Sequence, residues 1–137
     1  MKPLAIWAVA VVAAFAGLAG VTSATRDTEQ VFVVVDASNP MTDLLRRVPA
    51  ELDRIDDRDY AEFGLAIVRG TESESIHGYR SDFEWADTNS FRPCSFDGIN
   101  SFPDASTADE RILITNAASV DECSSSELDG WTVIELR

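Results

Sequence analysis

The residues best placed to do chemistry are Asp36 and Ser38, an aspartate and a serine two positions apart in the run VFVVVDASNP at residues 31–40. A carboxylate and a hydroxyl at that spacing can help gather a hard cation, supply a nucleophile, or satisfy backbone N–H groups at the start of a helix. A second constellation is the cysteine pair Cys94 and Cys123. In an oxidising compartment an isolated pair is most simply a disulfide, and closing that loop stabilises a fold by roughly 3–4 kcal/mol in the chain-entropy model. Zinc is disfavoured, because two cysteines and the single His77 are too few ligands and none of their spacings matches a metal knuckle. His77 reads as half-exposed surface rather than as a base, since no serine lies in a nucleophile-elbow pattern that could use it. Gly64, Gly70, Gly78 and Gly98 stand singly, outside any Walker or dinucleotide spacing, so nucleotide binding has no support.

What must position Asp36 is the strand before it. Five consecutive apolar residues, mainly β-branched, predict a strand buried on both faces, and such a strand belongs in a largely parallel sheet covered on each side. In open α/β sheets ligands bind beyond the C-terminal ends of the strands, which puts Asp36 and Ser38 at the functional edge. Met41, Leu44, Leu45, Val48, Leu52 and Ile55 then recur at spacings of three, four and seven, predicting one face of a helix of about four turns. Asn39 suits its N-cap and Pro40 its first helical position, while Pro49 predicts a kink or a restart. Residues 53–59 read as a charged turn that ends the helix, and 62–69 as the second strand, closed by Gly70. Residues 71–75 read as a polar turn and 76–84 as an antiparallel edge strand. A short helix is expected within 95–102, a buried parallel strand over 111–115, a short helix within 120–128 and a last parallel strand over 131–136. The fold class is therefore α/β: three layers, a mainly parallel sheet with strand 31–36 central, and one antiparallel edge strand.

A strand ending in D-x-S, an amphipathic helix and a second apolar strand together resemble the von Willebrand factor A domain over roughly residues 30–137. The resemblance implies a metal-ion-dependent adhesion site, in which a D-x-S-x-S motif, a distant threonine and a further aspartate hold a divalent cation that captures an acidic side chain of a partner. Asp36 and Ser38 match the first two positions. Pro40 occupies the third and has no hydroxyl, and the later aspartate falls at Asn116 of ILITNA, residues 112–117. Thr88 or Thr107 could stand for the threonine, though neither has the surrounding motif. The expectation is a vestigial site, with no cofactor or at most weak Mg²⁺ or Ca²⁺ binding. The chain also ends without the final helix and strand that the resemblance implies, so the domain is expected to be a pared-down version.

Residues 4–21 are uninterruptedly apolar or small, follow Lys2, and precede Thr22-Ser23-Ala24, which resembles a small-x-small cleavage site. Residues 1–24 are thus read as a signal peptide or signal anchor and 25–137 as the domain, exported to the periplasm or secreted, or else held outside by one N-terminal span. Beyond residue 24, ten arginines face 24 acidic groups, a net charge of −14 with no lysine. That charge disfavours nucleic acid and anionic membrane surfaces as partners. The expected function is an exported, non-enzymatic module that binds another protein, touching a membrane only through an uncleaved N-terminal segment. The alternative is an exported metal-dependent hydrolase using Asp36, which would need a base or second carboxylate beside it.

Overall fold

The structure, a computed structural model, describes residues 29–57, 62–76, 84–123 and 126–137. Residues 1–24, read as an export segment, and His77 lie outside these residues. A five-stranded sheet runs in the order β3-β2-β1-β4-β5. Its strands are β1 (Gln30–Asp36), β2 (Glu62–Arg69), β3 (Glu72–Ile76), β4 (Glu110–Asn116) and β5 (Thr132–Leu136). β1 is central and parallel to β2 and β4, β4 is parallel to β5, and β3, at one edge, is the single antiparallel strand among the described residues.

Because the apolar run of β1 is continuous, alternate residues feed two cores. Val31, Val33 and Val35 join Leu65, Ile67, Ile112 and Ile114 on one face, while Phe32 and Val34 join Ala66, Val68 and Leu113 on the other. The first face is covered by α1 (Val48–Asp56), which buries Val48, Leu52 and Ile55, and by Met41 and Leu45 from the turns before it. The second is covered by Phe96, Ile99, Phe102, Ala105 and Trp131, drawn from turns and from the short α2 (Pro103–Thr107). Phe32 sits at its centre, its ring 5.5 Å from that of Phe102 and 6.2 Å from that of Trp131.

The six-residue apolar stripe is real as a face but not as one helix. Asn39–Met41 and Leu45–Arg47 are separate 3-10 turns, and the α-helix begins only at Val48, so Pro49 falls in its first turn, where its missing N–H costs nothing. Asn39 is inside the first 3-10 turn rather than capping a helix. Residues 53–56, read as turn, complete α1.

The edge strand is shifted from its expected place. β3 occupies 72–76, mostly within the stretch read as a turn; residues 77–83 lie outside the described set. The turn is only Gly70-Thr71, with Arg69 paired to Glu72 across it. Gly70 has φ 65°, the positive value a two-residue hairpin loop wants at its first position, and a Cβ there would stand 3.0 Å from the Pro93 carbonyl oxygen. Exposed Glu72 and Glu74 line β3 and blunt that edge. In place of the helices expected in 95–102 and 120–128, Ile99–Ser101 is a 3-10 turn followed by α2, and α3 spans Ala117–Cys123. Cys94 and Cys123 are joined in a disulfide, Cα atoms 6.0 Å apart. Among the described residues no helix is long and apolar enough to cross a membrane.

Candidate functional site

Strand periodicity decides which way Asp36 faces. It continues the row of Phe32 and Val34, and Thr115 continues the row of Leu113 on β4. The parallel register pairs Val35 with Ile114, so Asp36 and Thr115 finish neighbouring strands side by side. The Thr115 hydroxyl donates to Asp36 Oδ2 at 2.8 Å, and the Ser38 N–H donates to Oδ1 at 2.9 Å. Asp36 is 1% exposed, so these bonds replace the water its carboxylate has lost. The bond from Ser38 also fixes the bend that carries the chain off the sheet, as aspartates do in turns.

Ser38 precedes the first 3-10 turn and is fully buried, yet its hydroxyl caps nothing and has no hydrogen-bond partner among the described residues. Asn116 works in two directions. Its Nδ2 donates to the Pro40 carbonyl, tying the end of β4 to the turn after β1, and its Oδ1 accepts from the Ser119 N–H at 2.8 Å, which starts α3. The structure thus brings together Asp36, Ser38 and Asn116. It does not bring Thr107, which lies exposed before β4 at the opposite edge of the sheet, its hydroxyl donating to the Asp104 carbonyl. That edge holds an open cavity of about 220 Å³ beside Gln30, Phe63 and Gly64. Thr88 is on the correct side and buried, but its hydroxyl donates to the Trp85 carbonyl.

Over the end of β1 runs a segment, residues 89–92, that is neither helix nor strand. Ser90 N–H donates to the Ala37 carbonyl at 3.0 Å, Asn39 N–H to the Arg92 carbonyl at 2.7 Å, and Asn89 Nδ2 to the Ser38 carbonyl at 3.0 Å. Between these clasps stands Phe91, 72% exposed, with φ 54° and its N–H donating to Asn89 Oδ1 at 2.7 Å. Two residues past Arg92, the disulfide links Cys94 to the last residue of α3. Both arms around Asp36 are therefore joined covalently.

Thr115 is the member of the cluster that sequence reading missed. Its signal was parity: a threonine in register with the aspartate of the next strand, following Leu113 on the same face.

These residues do not fit the metal that the resemblance implies. A hard cation takes six or more oxygens, with carboxylates offsetting its charge. Here both oxygens of the one carboxylate accept hydrogen bonds, both ends of the Asn116 amide are engaged, Pro40 offers no hydroxyl, and the hydroxyls of Ser38 and Ser119 are the buried groups unengaged among the described residues of the site. Among the described residues no three histidine, cysteine, aspartate or glutamate side chains gather where they could share an ion. No family model, no curated protein and no solved structure matches this chain.

Proposed function

We propose that the chain is an exported interaction module of the von Willebrand A kind that docks another protein at the C-terminal edge of its sheet, without a metal ion. The observation that carries this reading is the burial of Asp36, Ser38, Thr115 and Asn116 at a turn that Asp36 fixes and to which a loop is clasped. A cluster spent on internal hydrogen bonds is a brace, and what it braces is a loop at the edge where α/β sheets meet their ligands. Holding that loop in one shape lowers the ordering cost of binding. A central strand ending in D-x-S, with one antiparallel strand at the sheet's edge, supports the kinship. The disulfide supports an oxidising compartment outside the cytoplasm. Against a hydrolase, the groups bonded to Asp36 are a backbone N–H and a hydroxyl, not a base or second carboxylate.

The test is co-purification of the full-length tagged protein from its own cells, with and without EDTA. A stoichiometric protein partner should be retained under chelation, lost when residues 89–92 are replaced by glycine and serine, and unaffected by Thr107→Ala at the opposite edge. Loss of the partner on chelation would overturn the metal-free reading, and the absence of any partner enriched over a control would overturn the module itself.

A further inference from the structure

Phe91 violates two rules of a stable surface in one residue. Its side chain is the large hydrophobic that stands exposed among the described residues, and its backbone is in the left-handed region, which glycine or asparagine occupies at little cost and phenylalanine does not. A scattered exposed apolar residue needs no explanation, but one kept on strained backbone and clasped on both sides does. The clasps are specific: Ser90 to Ala37, Arg92 to Asn39, and Asn89 to both Ser38 and Thr42. The ring is therefore presented outward in a fixed place at the edge that carries Asp36.

The charges around it say what it meets. Arg92 is paired with Glu72, and Arg69, whose Nε donates to the Thr88 carbonyl, with Glu74, so β3 neutralises these two guanidinium groups. Exposed Asp87 precedes the loop by two residues, and exposed Asp43 follows Thr42, which Asn89 holds. The full chain carries −13. A second copy or an anionic bilayer would meet this rim with like charge, whereas a basic surface would be drawn to it.

Resting on the interaction-module reading, we propose that Phe91 is the anchor of the interface, inserting into an apolar pocket of a different protein whose rim is basic. Rigid aromatic anchors seated in desolvated pockets carry much of an interface's affinity, while rim charges govern the rate of encounter and its salt dependence.

The experiment places p-benzoylphenylalanine at position 91, 43, 87 or 107 of the full-length chain in its own cells, irradiates, identifies the product by mass spectrometry, and titrates the purified partner. Position 91 should cross-link one discrete protein, with position 107 giving none. Phe91→Ser should weaken that partner's binding at least thirtyfold and Phe91→Leu less than fivefold, and raising NaCl from about 50 to about 500 mM should weaken it about tenfold or more. Cross-links from 43 and 87 without one from 91, or a Phe91→Ser effect under threefold, would overturn the anchor while leaving the docking edge intact. Cross-links from 107 alone, or from no position, would overturn both. A product of twice the chain's mass, a lipid adduct, or affinity indifferent to salt would overturn the choice of a basic, heterologous partner.

Discussion

The two faces of the sheet bury the same kind of strand residues and are closed by opposite means. On one, α1 and the turns before it lay a contiguous stretch of chain over Val31, Val33 and Val35. On the other, Phe32 and Val34 are covered by pieces from 96 to 131, none longer than the seven residues of α3, with Cys94 cross-linked to Cys123. Such short helices have little stability of their own, so aromatic packing and a covalent tie must do what helical cooperativity does opposite. The difference bears on function, because Asp36 and Thr115 continue the rows of the stapled face, and the loop bearing Phe91 leads directly into its cysteine.

The comparison breaks most severely at the middle of the stapled face. Phe32→Ala removes the ring between Phe102 and Trp131 and should cost about 3–5 kcal/mol, a large share of the stability of a small domain. Urea denaturation checks this, and a loss below about 1 kcal/mol would mean that the turns collapse around the gap. Next comes the double change Cys94→Ser with Cys123→Ser, expected to cost roughly 3–4 kcal/mol. Hydrogen exchange sharpens it: amides of residues 89–102 should lose protection well before those of 48–56. Equal loss on both faces would show that the disulfide supports the whole domain rather than the face built of turns.

The same contrast explains what could be read from sequence. The central strand was legible because five apolar residues in a row have one physical reading, and α1's face was legible because its stripe repeats locally. The stapled face was not, since Phe96, Ile99, Phe102 and Trp131 meet only through the fold and have no common period. The β2–β3 hairpin was missed for another reason: its strand, ESESI, is solvent-exposed and looks like loop, while the signal lay in Gly70 at the first position of a two-residue turn. Within the site, Asp36 and Ser38 were singled out at a strand end and Asn116 through the resemblance, but Thr115 and the clasped loop depend on register and on hydrogen bonds across more than 50 residues.

Smaller effects belong to the brace itself. Asp36→Ala leaves the buried Ser38 N–H and Thr115 hydroxyl without their acceptor and should cost about 1–3 kcal/mol. Asp36→Asn should cost less, because its amide oxygen still accepts from Ser38 while its NH₂ can donate to a rotated Thr115 hydroxyl. Magnesium or calcium should leave the unfolding midpoint of the natural chain unchanged. A site of about 10 μM affinity would add about 4 kcal/mol at about 5 mM ion, a shift calorimetry could not miss. Pro40→Ser with Asn116→Asp introduces a hydroxyl and a negative charge and should confer an ion-dependent rise in the unfolding midpoint.

The smallest effect is the most telling about Phe91. Comparing Phe91→Gly with Phe91→Ala holds the loss of the ring constant and changes only how well the residue tolerates φ 54°. At such a position a Cβ crowds the following carbonyl oxygen, and glycine escapes this, though it gives back part of the gain through the larger entropy of its unfolded chain. Glycine should therefore exceed alanine in stability by about 0.5–1 kcal/mol, the reverse of their order in ordinary strand or helix. Since Phe91 is mostly exposed, losing its ring should cost little, so Phe91→Gly should match or slightly exceed the natural chain in urea while failing to bind its partner. A phenylalanine that lowers stability and is needed for binding is held there for the contact it makes. Were Phe91→Gly clearly less stable than the natural chain, the ring would be packing against the domain, and the clasped loop would be part of the core's cover rather than a presenting arm.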